Sequence, residues 1–192
     1  MKQFLLLLAI VLTSNPGARG QLYTTQSAAA FFTVSAPAKN IEGRSDSVSL
    51  QVDFGKKEVR LEVPVGSFGF RNNFVSDSLN AMIAHRFRNY YMEAGRFPLI
   101  TYSGSVDYAG KINLAQNGRY PVQTEGVLTL HGVRKKIQAS GYLIVTAGSV
   151  TLQAELMVKP SDYGIRIPPY IGDMYFKEVK IQLKARLAKQ TH

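Results

Sequence analysis

The chain has no cysteine and only three histidines in 192 residues. Without cysteine there is no disulfide framework, no thiolate metal site and no cysteine nucleophile. There is also no bacterial lipobox, so a lipoprotein is not expected. The histidines are His85, His131 and His192, and no two of them stand at a metal-ligand spacing such as H-E-x-x-H. A G-x-S-x-G elbow is missing, as is a phosphate loop of the P-loop kind. Glu93, Glu125, Asp162 and Asp173 could be brought together by folding, but any chain of this size offers such carboxylates. A non-catalytic protein is the expectation. An unrecognised hydrolase would instead place His85 or His131 beside a carboxylate and a hydroxyl in a cleft.

Long apolar runs are lacking too. The longest, Phe4 to Leu12, has nine residues and is too short to span a bilayer. Lys2 precedes it, and the small residues Ala18 and Gly20 follow at the spacing a signal peptidase needs. Residues 1–20 are therefore expected to be a signal peptide, cleaved before Gln21. Residues 21–192 should then form one soluble domain, exported to the periplasm or beyond the cell.

What the chain does have is hydrophobic residues at 45% and a formal charge of +10. That hydrophobic share can build a sizeable core. Loss of Lys2 and Arg19 with the leader lowers the charge by two. The remaining basic residues are scattered, with one tight cluster at Arg134, Lys135 and Lys136. No basic stripe interleaves with aromatics in a nucleic-acid motif, and export argues against a nucleic-acid partner. A weak preference for anionic lipid head groups is the one partner that the charge suggests. The oligomeric state is not readable.

Period-two alternation is the dominant pattern. Ala30 to Val34 reads as a strand. Val48, Leu50, Val52 and Phe54 alternate with polar residues, turn at Gly55 to Lys57, and return through Val59, Leu61, Val63 and Val65 as a hairpin. Pro64 marks an edge or bulge. Further strands are predicted over Leu99 to Val106, Lys111 to Leu114, Val122 to His131, Ile137 to Val145, Val150 to Val158 and Val179 to Leu187. Turns are expected at Asn117-Gly118, Gly132 to Lys135 and Ala147 to Ser149. The basic outer face of the last strand, with Lys180, Lys184 and Arg186, would blunt it as a free edge.

One helix interrupts this series. Ser76, Asp77 and Ser78 are N-cap candidates. Leu79, Met82, Ile83, Phe87, Tyr90 and Tyr91 recur at helical spacing, Gly95 is a candidate C-cap, and Pro98 prevents continuation. About eight or nine strands with one helix suggest an all-β antiparallel sandwich or barrel, and the helix that interrupts the strand order favours a barrel of about eight strands capped by that helix. The stretch from Leu61 to Ile100 is then its lid or plug.

Four blocks, in order, resemble the YceI-like family of exported lipid-binding proteins. They are VPVGSFGF at Val63 to Phe70, YYMEAGRFPLITYSG at Tyr90 to Gly104, GVLTLHGVRKKI at Gly126 to Ile137, and SDYGIRIP at Ser161 to Pro168. Histidines found near the first strand in many members are replaced here by Gln26-Ser27-Ala28 and Ala36-Pro37-Ala38. The polar residues before the helix become Asn72-Asn73-Phe74. The resemblance implies an extended lipocalin-like antiparallel barrel that holds a long isoprenoid or similar lipid, such as an isoprenoid quinone, in an apolar tunnel, with no cofactor in a catalytic sense. Crowding around the single break in the strand pattern nominates Phe68, Phe70, Phe74, Met82, Ile83, Phe87 and Tyr102 as tunnel-lining residues. His131 and Tyr163 are second-rank candidates for the head group. The competing reading is a structural or protein-interaction barrel whose interior is filled by side chains.

Overall fold

Alternating apolar residues become the inner face of a single closed sheet. The computed structural model describes residues 22–34, 41–71, 75–108, 112–168 and 177–190. The expected signal peptide and Phe74 lie outside them. The strands are β1 (Leu22–Val34), β2 (Ile41–Ser45), β3 (Ser49–Asp53), β4 (Glu58–Pro64), β5 (Gly69–Phe70), β6 (Leu99–Tyr108), β7 (Gly118–Leu130), β8 (Val133–Thr146), β9 (Ser149–Val158) and β10 (Val179–Lys189). Helix α1 (Asp77–Arg86) lies between β5 and β6. Neighbours pair in the order β10-β9-β8-β7-β6-β4-β3-β1, and β10 pairs again with β1 to close the ring. That closing ladder is antiparallel and runs from Tyr23↔Lys189 to Thr33↔Lys180. Eight strands thus form the barrel. The short β2 and β5 continue the lines of β3 and β4 beside the second half of β1.

Closure changes the meaning of the last strand. β10 is hydrogen-bonded on both sides, so its basic outer face guards no free edge. Along β10, Ala185 and Leu187 are buried while Lys184 and Arg186 are exposed. The β3–β4 hairpin forms as its alternation predicts, with Ser49↔Glu62 through Asp53↔Glu58. Pro64 is the last residue of β4. A 3-10 turn at Val65–Ser67 follows it, and the Val65 N–H donates to the Pro98 carbonyl at 2.8 Å.

Three local expectations are corrected. Ile112 to Leu114 is not a strand: the Asn113 side chain accepts from the Ala115 N–H at 3.0 Å, which turns the chain, and Tyr120 Oη donates to the Asn113 carbonyl. The turn expected over Gly132 to Lys135 is tighter and earlier. It holds only His131 and Gly132, at φ 50° and 75°, between the paired Leu130 and Val133. Two positive φ values make a type I′ hairpin turn, whose twist matches the flanking strands. Ala147 and Gly148 repeat the arrangement at φ 48° and 76°.

The third correction concerns the helix. Ser76 caps α1 as expected, its Oγ accepting from the Leu79 N–H. Gly95 does not end it. The last turn, Phe87–Tyr91, widens into a π-helix, with the Met92 N–H reaching the Phe87 carbonyl at 2.9 Å and the Ala94 N–H reaching Arg88 at 2.7 Å. The chain then reverses at Glu93, which takes φ 44°. No helix among the described residues is long and apolar enough to cross a membrane.

One turn couples the strand ends to the helix exit. His131 Nδ1 bonds the Tyr163 carbonyl at 3.2 Å. Its Nε2 faces Glu93 Oε1 at 3.4 Å without hydrogen-bond geometry, and its ring meets Phe97 edge-on at 4.6 Å. A side chain at Gly132 would collide with the Phe97 ring, whereas one at Gly148 would meet nothing. Alanine is strained at either positive φ by about 1–2 kcal/mol. Gly148→Ala should therefore cost about that much, and Gly132→Ala roughly 1–3 kcal/mol more from the clash. Chemical denaturation of both variants checks the order; equal losses would contradict the packing described.

Candidate functional site

The barrel is solid at one end and hollow at the other. At the β3–β4 hairpin end, Val52, Phe54, Val106, Val122, Leu143, Val145, Val150, Ala185 and Leu187 are all buried in one cluster. The Tyr23 ring meets Phe54 edge-on at 5.5 Å there. Toward the helix end, the same inner faces surround a cavity of about 190 Å³. Its wall begins at Leu50, Val59, Thr124, Ala139 and Leu152. It runs up to Val34, Leu130, Val158 and Val179, and includes Pro160, Ile165 and Ile167 beyond β9. From Leu152 to Val158 the lining covers six strand steps, about 20 Å at roughly 3.4 Å each. Among the described lining residues none is charged, and only Thr124 and Gln182 have neither an aliphatic nor an aromatic side chain. A void of this size is not ordinary core packing, where gaps larger than a water are few.

Small residues make the room. At mid-barrel, Gly104 of β6 faces Gly126 of β7, and Ala139 and Ala154 occupy inner positions on β8 and β9. The Tyr102 hydroxyl lies 2.8 Å from where a Cβ of either glycine would stand. Glycine at both positions lets the Tyr102 ring lie along the wall instead of crossing the lumen. Thr124 Oγ1 donates to the Ser105 carbonyl at 2.7 Å. Tyr102 therefore supplies the proton in its 2.5 Å bond to Thr124. Both hydroxyl protons are used internally, and the pair presents no spare donor to the cavity.

Aromatic rings cover the helix side. Phe32 stacks on Phe87 at 5.0 Å, and Phe68 and Phe70 meet both rings at 5.2 to 5.5 Å. Phe32 lies flat over Gly43, where a Cβ would strike its ring. The π-turn brings Phe87, Tyr91 and Met92 onto the cavity wall together.

Of the seven residues nominated from sequence, Phe68, Phe87 and Tyr102 line this cavity. Phe70 belongs to the aromatic cluster but lies behind the lining. Ile83 is half-buried on the helix, and Met82 is 42% exposed on its outer side. Phe74 lies outside the described residues. The apolar stripe is not the packed face of α1; Asn80 and Ala84 are its buried residues. His131 and Tyr163 meet each other in the turn contact, and neither is part of the wall. Sequence reasoning missed Phe32, Tyr91, Met92 and the inward aliphatic residues of β9 and β10. Strand parity could have identified the last group, because Leu152, Ala154, Leu156 and Val158 share one face. Among the described residues no cluster of three or more His, Asp or Glu could hold a metal.

The comparisons with known proteins come to the same architecture. The model of the YceI-like domain family matches residues 21–187. A polyisoprenoid-binding domain from Saccharophagus degradans, implicated in plant cell wall breakdown, superposes with a TM-score of 0.67 at 16% identity, covering 88% of this chain and 98% of its own. BcnA of Burkholderia cenocepacia gives 0.62 at 16% identity, with 84% and 96% covered. The YceI protein of Campylobacter jejuni gives 0.58 at 16% identity, with 82% and 90% covered. At such identities these structures establish the shared fold. No curated protein matches the chain.

Burial raises the Tyr102 hydroxyl above its ordinary value of 10.0; the Thr124 hydrogen bond opposes the rise and the Glu125 charge adds to it. A raised value means that the folded state holds the proton more tightly. The contribution to stability is complete below the unfolded-state value and is lost as pH climbs through the folded one. As pH rises above about 10, the parent protein should lose more stability than Tyr102→Phe. Denaturation midpoints across that range test this, and parallel curves for the two proteins would refute it.

Proposed function

The chain belongs to the YceI-like family, and on that premise we propose that it is a non-catalytic carrier of a long apolar lipid of the isoprenoid class, an isoprenoid alcohol or quinone being the preferred form. The carrying observation is the cavity: long, uncharged and walled by aliphatic and aromatic side chains. A lined length of about 20 Å would take an extended chain of roughly sixteen carbons, given C–C bonds of about 1.5 Å. Burying those carbons is worth roughly 13 kcal/mol at about 0.8 kcal/mol each, against several kcal/mol for the motion lost on binding. Affinity can then come from the tail, which agrees with a wall that offers few polar partners. The polyisoprenoid-binding domain from Saccharophagus degradans supports the same ligand class. The first twenty residues support export, with the carrier acting in the periplasm or outside the cell.

Native mass spectrometry of protein purified from its own host, followed by organic extraction, tests the reading. A stoichiometric long-chain species is expected. A clean apo mass, with no uptake of added geranylgeraniol, would favour the packed interaction barrel instead.

Two substitutions probe the wall. Phe87→Asp puts a charge at the centre of the aromatic cluster and should reduce geranylgeraniol binding at least about a hundredfold while the β-sheet circular dichroism persists. Ala154→Phe fills the deep half of the cavity and should weaken the same ligand at least about tenfold, with a denaturation midpoint near that of the parent. Normal uptake by both variants would refute the assignment of this cavity.

A further inference from the structure

Part of the apolar stripe of α1 and the turn after it is exposed among the described residues, where the Tyr90 ring meets only the edge of His85 at 5.9 Å. Leu79, Met82 and Tyr90 are 36%, 42% and 68% exposed, while Asn80 and Ala84 take the packed side. At 3.6 residues per turn, Leu79, Met82 and Arg86 fall along one outward strip, and Tyr90 continues it. Arg86 is exposed within this strip, and exposed Arg71, His85 and Arg96 flank the segment. Arg88 is committed elsewhere, to the carbonyls of Ala84 and Gly66. The acidic groups on the same segment are Asp77, in the first turn, and Glu93, which faces Arg96 and His131. Exposed Leu79, Met82 and Tyr90 with Arg86 among them put large apolar side chains and one cation on the same outward strip, a combination that suits the boundary between head groups and acyl chains. The inner side of the same segment contributes Phe87, Tyr91 and Met92 to the cavity wall.

We propose that the outer face of α1 docks onto an anionic lipid surface. Leu79, Met82 and Tyr90 enter the boundary between head groups and acyl chains, and Arg86 pairs with lipid phosphate. The chain has 23 lysines and arginines against 13 acidic residues, and this excess selects an anionic surface over a neutral one. Docking there would hold a wall of the cavity at the membrane while a water-insoluble ligand passes between them. That purpose rests on the carrier reading; the docking itself is measured without it.

The chain contains no tryptophan, so Tyr90→Trp introduces a single fluorescent reporter at an exposed position. It is mixed with vesicles of phosphatidylglycerol and phosphatidylcholine, or of phosphatidylcholine alone. On the anionic vesicles the emission should shift to the blue and be quenched by brominated acyl chains. Affinity should exceed that for neutral vesicles by about tenfold at low salt and fall as salt is added. Adding Leu79→Glu and Met82→Glu should cut vesicle binding by at least about tenfold. That triple variant should still take up geranylgeraniol delivered from ethanol, which shows it to be folded and separates docking from carrying. Vesicle binding without uptake by any variant would sink the carrier reading and leave docking intact. An unshifted emission spectrum, with the protein left in the supernatant after sedimentation of anionic vesicles, overturns docking. So does a doubled solution mass that the two glutamates abolish, because the face would then be covered by a second copy of the chain.

Discussion

Closure of β1 against β10 is the constraint from which the rest of the molecule follows. An eight-stranded barrel has a nearly fixed bore, just wide enough for its own inward side chains to fill. A cavity inside it must come from leaving side chains out. Here the omission is local. Val52, Val106, Leu143, Val150 and Ala185 pack the hairpin end into ordinary core. Gly104, Gly126, Ala139 and Ala154 thin the middle, and the helix end stays open inside. The same closure leaves β10 no free edge, so the strand needs no other protection there.

Small contacts at the helix end hold the remaining pieces in register. Four sequence blocks, widely separated in the chain, meet there. His131, in the β7–β8 turn, touches the carbonyl of Tyr163 in the 3-10 turn Pro160–Tyr163 after β9, and faces Glu93 and Phe97 just past the helix. The carbonyl of Pro98 accepts from Val65, after β4. Lys135 adds an ion pair with Asp162 at 3.4 Å, exposed and of small energetic weight. The blocks that carry the family resemblance are thus largely a frame for the end of the barrel. The wall of the cavity is built mainly from residues outside them, which permits aliphatic exchange at constant volume.

The segment from Val65 to Pro98 consequently has two faces with different duties. Its inner side brings Phe68, Phe87, Tyr91 and Met92 to the cavity, with the π-turn admitting the last three together. Its outer side displays Leu79, Met82 and Tyr90. A helix serving a barrel core alone would keep that side polar.

Alternation and turn residues determined most of the architecture. The β3–β4 hairpin, the strands β6 to β10, the Ser76 cap and the antiparallel all-β class are written in local pattern, because period two and capping depend on neighbours in sequence, whereas closure pairs β1 with β10 from opposite ends of the chain. The Lys111 to Leu114 misreading arose because a short apolar alternation cannot reveal the Asn113 side chain turning the backbone. What only tertiary structure decided is which half of a wide apolar stripe faces inward, and where the barrel is hollow. Met82 and Phe87 stand at opposite edges of that stripe, about 140° apart on a helical wheel; the aromatic cluster of Phe32, Phe68 and Phe70 takes in Phe87, and Met82 is left to solvent. Likewise, Gly104 and Gly126 are unremarked in sequence. Their pairing across two strands, beside the Tyr102 hydroxyl, is a long-range contact that leaves room for the Tyr102 ring.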